Sequence, residues 1–185
     1  MCPRRGRPED VAAAVLFFAG PAASFITGKD DHMIERVRAI LITPAGTMLT
    51  IRRDRPGQPV YWVLPGGHID PGDADAEAAL RREIAEEIAG DPQIVSLLHI
   101  METGEERQYF YLARITRWSF EDRTGPEFTE PGRGQYQLEE IPLTTAGLSG
   151  IALKPNAVAV LLRDAVGAGR DLYAMPDLRQ APAAG

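Results

Sequence analysis

The stretch from Leu64 to Gly90 constrains the fold of this chain more than any other segment. It reads LPGGHIDPGDADAEAALRREIAEEIAG, so that a short apolar strand breaks at paired glycines and is followed by a run of good helix formers. Asp73 is predicted to cap the helix, because its carboxylate accepts hydrogen bonds from the unpaired N–H groups at a helix N-terminus. The segment therefore predicts a strand, a glycine turn and a helix in close succession.

The predicted helix carries an apolar stripe beside an acidic face. The stripe has the four-residue spacing of a core-packing surface and consists of Leu80, Ile84 and Ile88. Glu83, Glu86 and Glu87 stand at i, i+3 and i+4 and share a face, where their charges repel by roughly a few tenths of a kcal/mol when exposed. A bound hard cation, Mg²⁺ or Mn²⁺, accounts for this charge, since such ions prefer carboxylate, carbonyl and phosphate oxygens. The alternative is an acidic surface helix preceded by a turn.

The glycine turn, Arg82 and the three glutamates of the predicted helix together resemble the Nudix box. That pattern is a glycine, five residues, Glu, seven residues, Arg-Glu, an aliphatic, any residue, Glu-Glu, any residue and Gly. The chain matches it at Gly67, Arg82, Glu83, Ile84, Glu86 and Glu87. It departs in three ways: Asp73 replaces the first glutamate, eight residues rather than seven precede Arg82, and Ala89 takes the place of the closing glycine, with Gly90 one place later.

The resemblance implies an α+β fold, a Nudix-type α/β/α sandwich with a mixed curved β-sheet between helices. It implies divalent-metal-dependent hydrolysis of a pyrophosphate bond in a nucleoside diphosphate derivative, such as a nucleoside triphosphate or a nucleotide sugar. The cofactor would be Mg²⁺ or Mn²⁺, and the partner a small-molecule nucleotide. A non-catalytic nucleotide-binding or regulatory module on the same fold is the alternative, and such a module would be expected to lose box carboxylates that this chain retains.

The resemblance also implies roles for individual residues. The metal ligands would be the carbonyl of Gly67 and the carboxylates of Glu83, Glu86 and Glu87. Arg82 would orient a glutamate through a charge-assisted hydrogen bond. The general base stays open between Glu83 and a glutamate of the loop 118–134, for which Glu127 is the first candidate and Glu130 the second.

Two arginines lie just ahead of the acidic helix. Arg52 and Arg53 end a predicted strand, and they are candidates for contact with substrate phosphates. The alternative for both is solvation or pairing with acidic side chains. Other predicted strands and the last helix cover 37–42, 47–52, 94–101, 108–115, 136–141 and 155–167.

Composition limits the classes of function. The chain has 185 residues and a net charge of −6, which argues against a stable complex with nucleic acid. It has one cysteine, so neither an intrachain disulfide nor a thiolate zinc site is expected. No apolar run approaches the length of a membrane span. We expect a cytoplasmic enzyme; pairing as a homodimer is left open.

The two ends of the chain differ from its centre. Residues 1–32 have a basic start and the apolar run 11–19, which is interrupted on its approach by Glu9 and Asp10 and is short for a secretory signal. We expect residues 1–32 to be a dispensable extension, residues 33–168 to form the Nudix domain, and the Pro/Ala-rich residues 169–185 to be a flexible tail.

Overall fold

The computed structural model describes residues 33–125 and 134–180. Within them the strands are β1 (Ile34–Ile42), β2 (Thr47–Asp54), β3 (Tyr61–Val63), β4 (Gln93–Thr103), β5 (Glu106–Arg114), β6 (Gln135–Pro142) and β7 (Leu153–Lys154). The helices are α1 (Ala76–Ile88), α2 (Thr145–Ser149) and α3 (Asn156–Gly167), followed by two 3-10 turns, Leu172–Ala174 and Leu178–Gln180.

The strands form one mixed sheet. Its order is β4-β5-β1-β2-β3-β7, and β6 pairs with β2 beside this path. The pairs β1–β5 and β3–β7 are parallel, and the other pairs are antiparallel. The predicted mixed sheet is therefore confirmed, and so are the strands and the last helix to within a few residues at each end.

Helices cover both faces of this sheet. Along β2, Met48 belongs to the core under α2 and α3, whereas its neighbour Leu49 belongs to the core under α1, because successive side chains of a strand point to opposite faces. The predicted stripe Leu80, Ile84 and Ile88 is buried in the second of these cores. The sandwich predicted from the sequence is confirmed.

The helix α1 begins later than the sequence predicted. Its N-cap is Asp75, whose carboxylate accepts the N–H of Ala78 at 2.7 Å, so the assignment of Asp73 as the cap is wrong. The carboxylate of Asp73 instead accepts from the guanidinium of Arg82 and from the N–H of Asp70. Because these partners hold Asp73 in the turn before the helix, the extra residue of the box is accommodated there.

The end of α1 explains the shifted closing glycine. Ala89 has φ 47° and ψ 39°, the left-handed conformation that glycine usually supplies after a helix. Its N–H bonds to the carbonyl of Ala85 at 3.0 Å, and the N–H of Gly90 bonds to that of Ile84 at 3.3 Å. A Cβ on Gly90 would lie 2.6 Å from Cδ1 of Ile115. A side chain at position 90 would require Ile115 to shift, while alanine occupies the left-handed position that glycine usually takes.

Replacing Ala89 by glycine is expected to raise the free energy of unfolding by about 0.5–1 kcal/mol. The left-handed conformation costs a residue with a side chain about 1–2 kcal/mol, and the greater freedom of glycine in the unfolded chain offsets part of the gain. The matched control is Ala85→Gly, an exposed position inside α1, which should lose about 1 kcal/mol. Urea unfolding followed by circular dichroism measures both, and a loss of stability in Ala89→Gly would contradict the expectation.

Residues 170–180 belong to the segment predicted to be a flexible tail, and in this structure they contact the domain; the flexibility of the tail stays a prediction. Leu172 is 6% exposed and lies in the core under α3. Asp177 accepts the N–H of Leu97 on β4 at 3.0 Å, and Arg179 bonds to Asp177 and to Glu77 of α1. Hydrogen bonds from Arg179 hold the pKa of Asp177 at about 2. Since β4 ends the strand order, Asp177 occupies a backbone donor of an edge strand, a contact that composition does not reveal.

Three segments lie outside the described residues, namely 1–32, 126–133 and 181–185. The prediction of a dispensable N-terminal extension concerns the first of them and stays a prediction. Within the described part of the chain, no helix combines the length and apolarity that crossing a bilayer requires.

Candidate active site

The glycine turn is hydrogen-bonded to β1 like an additional short strand. The N–H groups of Val37 and Ala39 bond to the carbonyls of Gly67 and Pro65, both at 2.9 Å. Pairing between β1 and β2 is confined to the last residues of β1 and the first residues of β2, Leu41↔Leu49 and Ile42↔Met48. The sheet thus opens between β1 and β2, and the turn fills the gap.

Gly66 makes polar contacts on both sides of its backbone. Its N–H donates to Oε2 of Glu87 at 2.7 Å, and its carbonyl accepts from the guanidinium of Arg38. Its φ of 130° is unfavourable for any residue with a side chain, and a Cβ would lie 2.2 Å from the carbonyl oxygen of Val37. The close approach of the turn to β1 therefore requires glycine here.

Gly67 leaves the space in which the carboxylate of Glu83 lies. A Cβ on Gly67 would be 2.3 Å from Cδ and Oε2 of Glu83 and 2.4 Å from its Oε1. The carbonyl of Gly67 accepts from Val37, and a carbonyl oxygen has a second lone pair for another partner. Turn and glutamate are thus in direct contact.

Arg82 links the turn to the acidic face of α1. Its Nε and Nη2 form a bidentate pair with Asp73 at 3.0 and 2.9 Å, and its Nη2 also donates to the carbonyl of His68 at 3.0 Å. Its Nη1 donates to Glu83 at 2.9 Å and to Glu86 at 3.4 Å. The hydrogen bond to Asp73 is the main reason why the pKa of Arg82 is raised, and the same bond lowers the pKa of Asp73.

The three glutamates lie on one stretch of α1 but have different surroundings. Glu83 and Glu86 contact Arg82, whereas Glu87 contacts the backbone of Gly66. Side-chain exposure is 14% for Glu83 and 38% for Glu86. Among residues 33–125 and 134–180, no three His, Cys, Asp or Glu side chains converge closely enough to enclose a metal ion.

A family comparison identifies this arrangement. Residues 33–147 match the model of the NUDIX domain, which is more than half of the chain. The chain belongs to the NUDIX domain family. No curated protein matches it.

Solved structures share the NUDIX fold with this chain. The E. coli ORF135 protein is 22% identical, with a TM-score of 0.51 and coverage of 76% of this chain and 94% of that one. The MutT protein from Methanosarcina mazei Go1 is 17% identical, with a TM-score of 0.51 and coverage of 78% and 100%. An ADP-ribose pyrophosphatase from Streptococcus suis 89-1591 is 18% identical, with a TM-score of 0.51 and coverage of 76% and 94%. At these identities the likeness shows the fold.

The donors beside the glycine turn fit a hard divalent cation. The NUDIX family generally depends on such ions, and the polar atoms of the box glutamates and of the turn's carbonyls are all oxygens, as Mg²⁺ prefers. The absence of a side chain on Gly67 lets Glu83 reach the turn, so a carbonyl and carboxylates are close neighbours. The residues present are therefore of the kind that such an ion requires.

The two candidate phosphate-binding arginines point to opposite faces of the sheet. The guanidinium of Arg53 lies 3.6 Å from the ring centroid of Tyr136, on the face covered by α1. Burial lowers the pKa of Arg53, while Tyr136, Tyr61 and Glu87 raise it, so the field of a box glutamate reaches this arginine.

Arg52 belongs to a polar cluster on the other face. It donates to Oε1 of Gln137 at 3.1 Å and lies 3.7 Å from Glu139. The indole N–H of Trp62 donates to the same glutamate at 2.7 Å. Of the two arginines, Arg53 therefore lies on the face of the sheet that α1 covers, and Arg52 lies on the opposite face. This difference follows from the alternation of side chains along β2.

The loop glutamates named from the sequence, Glu127 and Glu130, lie outside the described residues. The last described residue before them is Gly125, and its N–H bonds to the backbone carbonyl of Glu86 at 3.0 Å. The described part of the loop is thus attached to the backbone of the last turn of α1.

Sequence reasoning missed Arg38 and Tyr136 as neighbours of the site. Arg38 could have been noticed as a charge within the apolar run of β1, where Val37 and Ala39 are fully buried. Tyr136 could have been noticed only through its pairing opposite Arg53, which depends on the register of β2 and β6.

Proposed function

We propose that this chain is an enzyme that hydrolyses a pyrophosphate bond in a nucleoside diphosphate derivative with the help of Mg²⁺ or Mn²⁺. The observation that carries the proposal is that the helical half of the box keeps its three glutamates, on the part of α1 in contact with the paired glycines. Membership of the NUDIX family supports it. So does the name of one relative in fold, an ADP-ribose pyrophosphatase.

The proposed metal ligands are the carboxylates of Glu83, Glu86 and Glu87 and the carbonyl of Gly67. The ion, when bound, stabilises the negative charge that develops on phosphoryl oxygens as water attacks phosphorus. The remaining lone pair of the Gly67 carbonyl supports its inclusion, and so does the proximity of Glu83 to the turn.

Glu83 is the proposed general base. It would accept a proton from the attacking water while the water oxygen bonds to phosphorus and the bond from that phosphorus to the bridging oxygen breaks. Its limited exposure of 14% and its contact with Arg82 at 2.9 Å support the role, because a hydrogen bond from Arg82 orients the carboxylate that would accept the proton. Glu127 is the alternative base, supported by the attachment of Gly125 to α1.

Arg53 is the proposed contact for substrate phosphate. Its guanidinium lies over the ring of Tyr136 on the face of the sheet that α1 covers, and a guanidinium is suited to bidentate contact with phosphate oxygens. The influence of Glu87 on its pKa supports a location near the proposed metal ligands. Arg52, which lies in the cluster on the opposite face, is not assigned this role.

A substrate panel tests the proposal. The purified chain is incubated with nucleoside triphosphates, ADP-ribose, dinucleoside polyphosphates and nucleotide sugars, first with Mg²⁺ and then with Mn²⁺, and products are separated by ion-exchange chromatography. We expect nucleoside monophosphate or diphosphate products, and we expect that none form when EDTA is present. Binding without turnover across the panel would overturn the proposal and favour a nucleotide-binding module. Turnover in H₂¹⁸O would identify the phosphorus that is attacked.

A further inference from the structure

Arg38 is a basic residue in the middle of an apolar strand. On β1 its neighbours Val37, Ala39 and Ile40 are fully buried, and Arg38 itself is half-buried. Its guanidinium donates to two carbonyls at the start of the glycine turn, those of Gly66 and Leu64, the second at 3.4 Å. Its side chain therefore ends at the turn rather than in solvent.

Arg38 and Glu87 hold opposite ends of one residue. The carbonyl of Gly66 accepts from Arg38, and its N–H donates to Glu87 at 2.7 Å. Glycine has no Cβ to restrict its dihedral angles, so its own chemistry does not fix the orientation of its N–H. The turn is held at two successive peptide groups: the carbonyl of Pro65, in the same peptide group as the N–H of Gly66, accepts from Ala39 at 2.9 Å, and the carbonyl of Gly66, in the next peptide group, accepts from Arg38. The two side chains that contact Gly66, Arg38 and Glu87, have opposite charges.

The electrostatics of Arg38 point the same way. Burial lowers its pKa, and Glu87 is the largest influence that raises it, ahead of Glu83. A guanidinium stays charged in proteins, so the desolvation of Arg38 must be offset by its surroundings. The turn carbonyls and the field of the box glutamates supply that compensation.

We propose that Arg38 is a positioning residue of the active site, which holds the peptide group between Gly66 and Gly67 and so keeps the turn in the conformation in which the N–H of Gly66 meets Glu87. The consequence is that the carboxylate of Glu87 has a defined position before any ion or substrate arrives. This positioning follows from contacts on the chain itself. Its effect on turnover rests on the proposed function.

The test compares three variants. Arg38→Met removes the hydrogen bonds, and Arg38→Lys keeps the charge but offers a single compact donor group. The matched control is Arg36→Met, because Arg36 lies two residues earlier on the same face of β1 and pairs with Glu106 at 2.6 Å. The same charge is thus removed from the same strand. The side-chain contacts of Arg36 are with Glu106 and the ring of His68, whereas those of Arg38 are with the carbonyls of Gly66 and Leu64.

The first readout is the chemical shift of the Gly66 amide proton in ¹H–¹⁵N spectra of the metal-free protein. A hydrogen bond to a carboxylate moves this proton downfield. We expect the downfield shift in the wild-type chain and in Arg36→Met, its loss in Arg38→Met, and an intermediate value in Arg38→Lys. A Gly66 amide that keeps its shift in Arg38→Met would overturn the proposal. If Arg38→Met does not fold, the comparison of Arg38→Lys with Arg36→Met decides.

The second readout is function. We expect Mn²⁺ affinity, measured by calorimetry without substrate, to fall about tenfold in Arg38→Met, the size of loss typical for residues that orient metal ligands. The kcat should fall by a similar factor while KM changes little, and Arg38→Lys should recover part of it. Equal losses in Arg36→Met would show that charge alone matters and would overturn the proposal. If no substrate is hydrolysed, the amide shift and Mn²⁺ affinity still decide it.

Discussion

Replacing Glu87 by glutamine is expected to lower the turnover number for pyrophosphate hydrolysis by about 100-fold or more. The loss corresponds to about 3 kcal/mol or more of transition-state stabilisation, which is of the size that a bound metal ion supplies to phosphoryl transfer. Glutamine has the size of glutamate but no charge, and it is a poor ligand for Mg²⁺ in comparison.

The fold is expected to survive this substitution. In the wild-type chain, Oε2 of Glu87 accepts the N–H of Gly66 at 2.7 Å, and the amide oxygen of glutamine can accept the same bond. The free energy of unfolding should therefore change by no more than about 1 kcal/mol, as for most substitutions that leave a hydrogen bond in place. Turnover is thus expected to fall while the free energy of unfolding stays nearly constant, as for a metal ligand rather than a structural residue.

A matched control is available at the end of the same helix. Asp91 follows α1, its side chain is 94% exposed and its nearest basic partner, Arg81, is 3.9 Å away. Asp91→Asn removes one negative charge just after the same helix and should leave both turnover and stability unchanged. Steady-state kinetics with saturating Mg²⁺ and calorimetric titration with Mn²⁺ give the comparison. Full activity in Glu87→Gln would contradict the assignment of the metal site.

The fold was largely predictable because local patterns and the box agree with it. The alternation along β2 and β5 and the four-residue stripe on α1 each correspond to an element packed on the core. The successive strands β1 and β2 pair with each other, but only through two residue pairs. The glycine turn occupies the donors of Val37 and Ala39, and a contact across about thirty residues of sequence leaves no trace in the periodicity of β1.

Other features depend on contacts that are distant in sequence. The short strand β7 pairs with β3, and its two residues are too few to show any alternation. The C-terminal turns contact the domain through hydrogen bonds between Asp177 and Leu97, 80 residues apart in sequence, and between Arg179 and Glu77, 102 residues apart. Neither pattern nor composition reports on such partners.

Around the glycine turn, the sequence indicates which charged residues lie in the segment but not which of them pair with one another. Asp73 was assigned to the helix N-terminus because Asp is a good cap, yet Asp75 has the same chemistry and is nearer the first helical residue. The bidentate pairing of Asp73 with Arg82 decides between them. Competition of this kind between equivalent carboxylates is settled by tertiary contacts.

The paired glycines are expected to respond differently to alanine, although they are adjacent. At Gly67 the new Cβ would collide with the carboxylate of Glu83, the far end of a flexible side chain that can rotate away. We expect Gly67→Ala to keep its fold and to lose about 100-fold in turnover, because Glu83 would no longer lie against the turn. At Gly66 the Cβ would collide with backbone, the carbonyl oxygen of Val37 at 2.2 Å, in a conformation with φ 130°.

Gly66→Ala should therefore lose about 3 kcal/mol or more of unfolding free energy, since overpacking and backbone strain each cost about 1–3 kcal/mol. The control is Gly72→Ala in the same turn region, where a Cβ meets no atom of the described residues within 4 Å and φ is not positive; its stability and turnover should match the wild-type chain. Chemical unfolding and steady-state kinetics on all three variants give the answer. Equal losses of stability at Gly66 and Gly67 would mean that Glu83 cannot move aside, and the turn would then be as rigid on its α1 side as it is against β1.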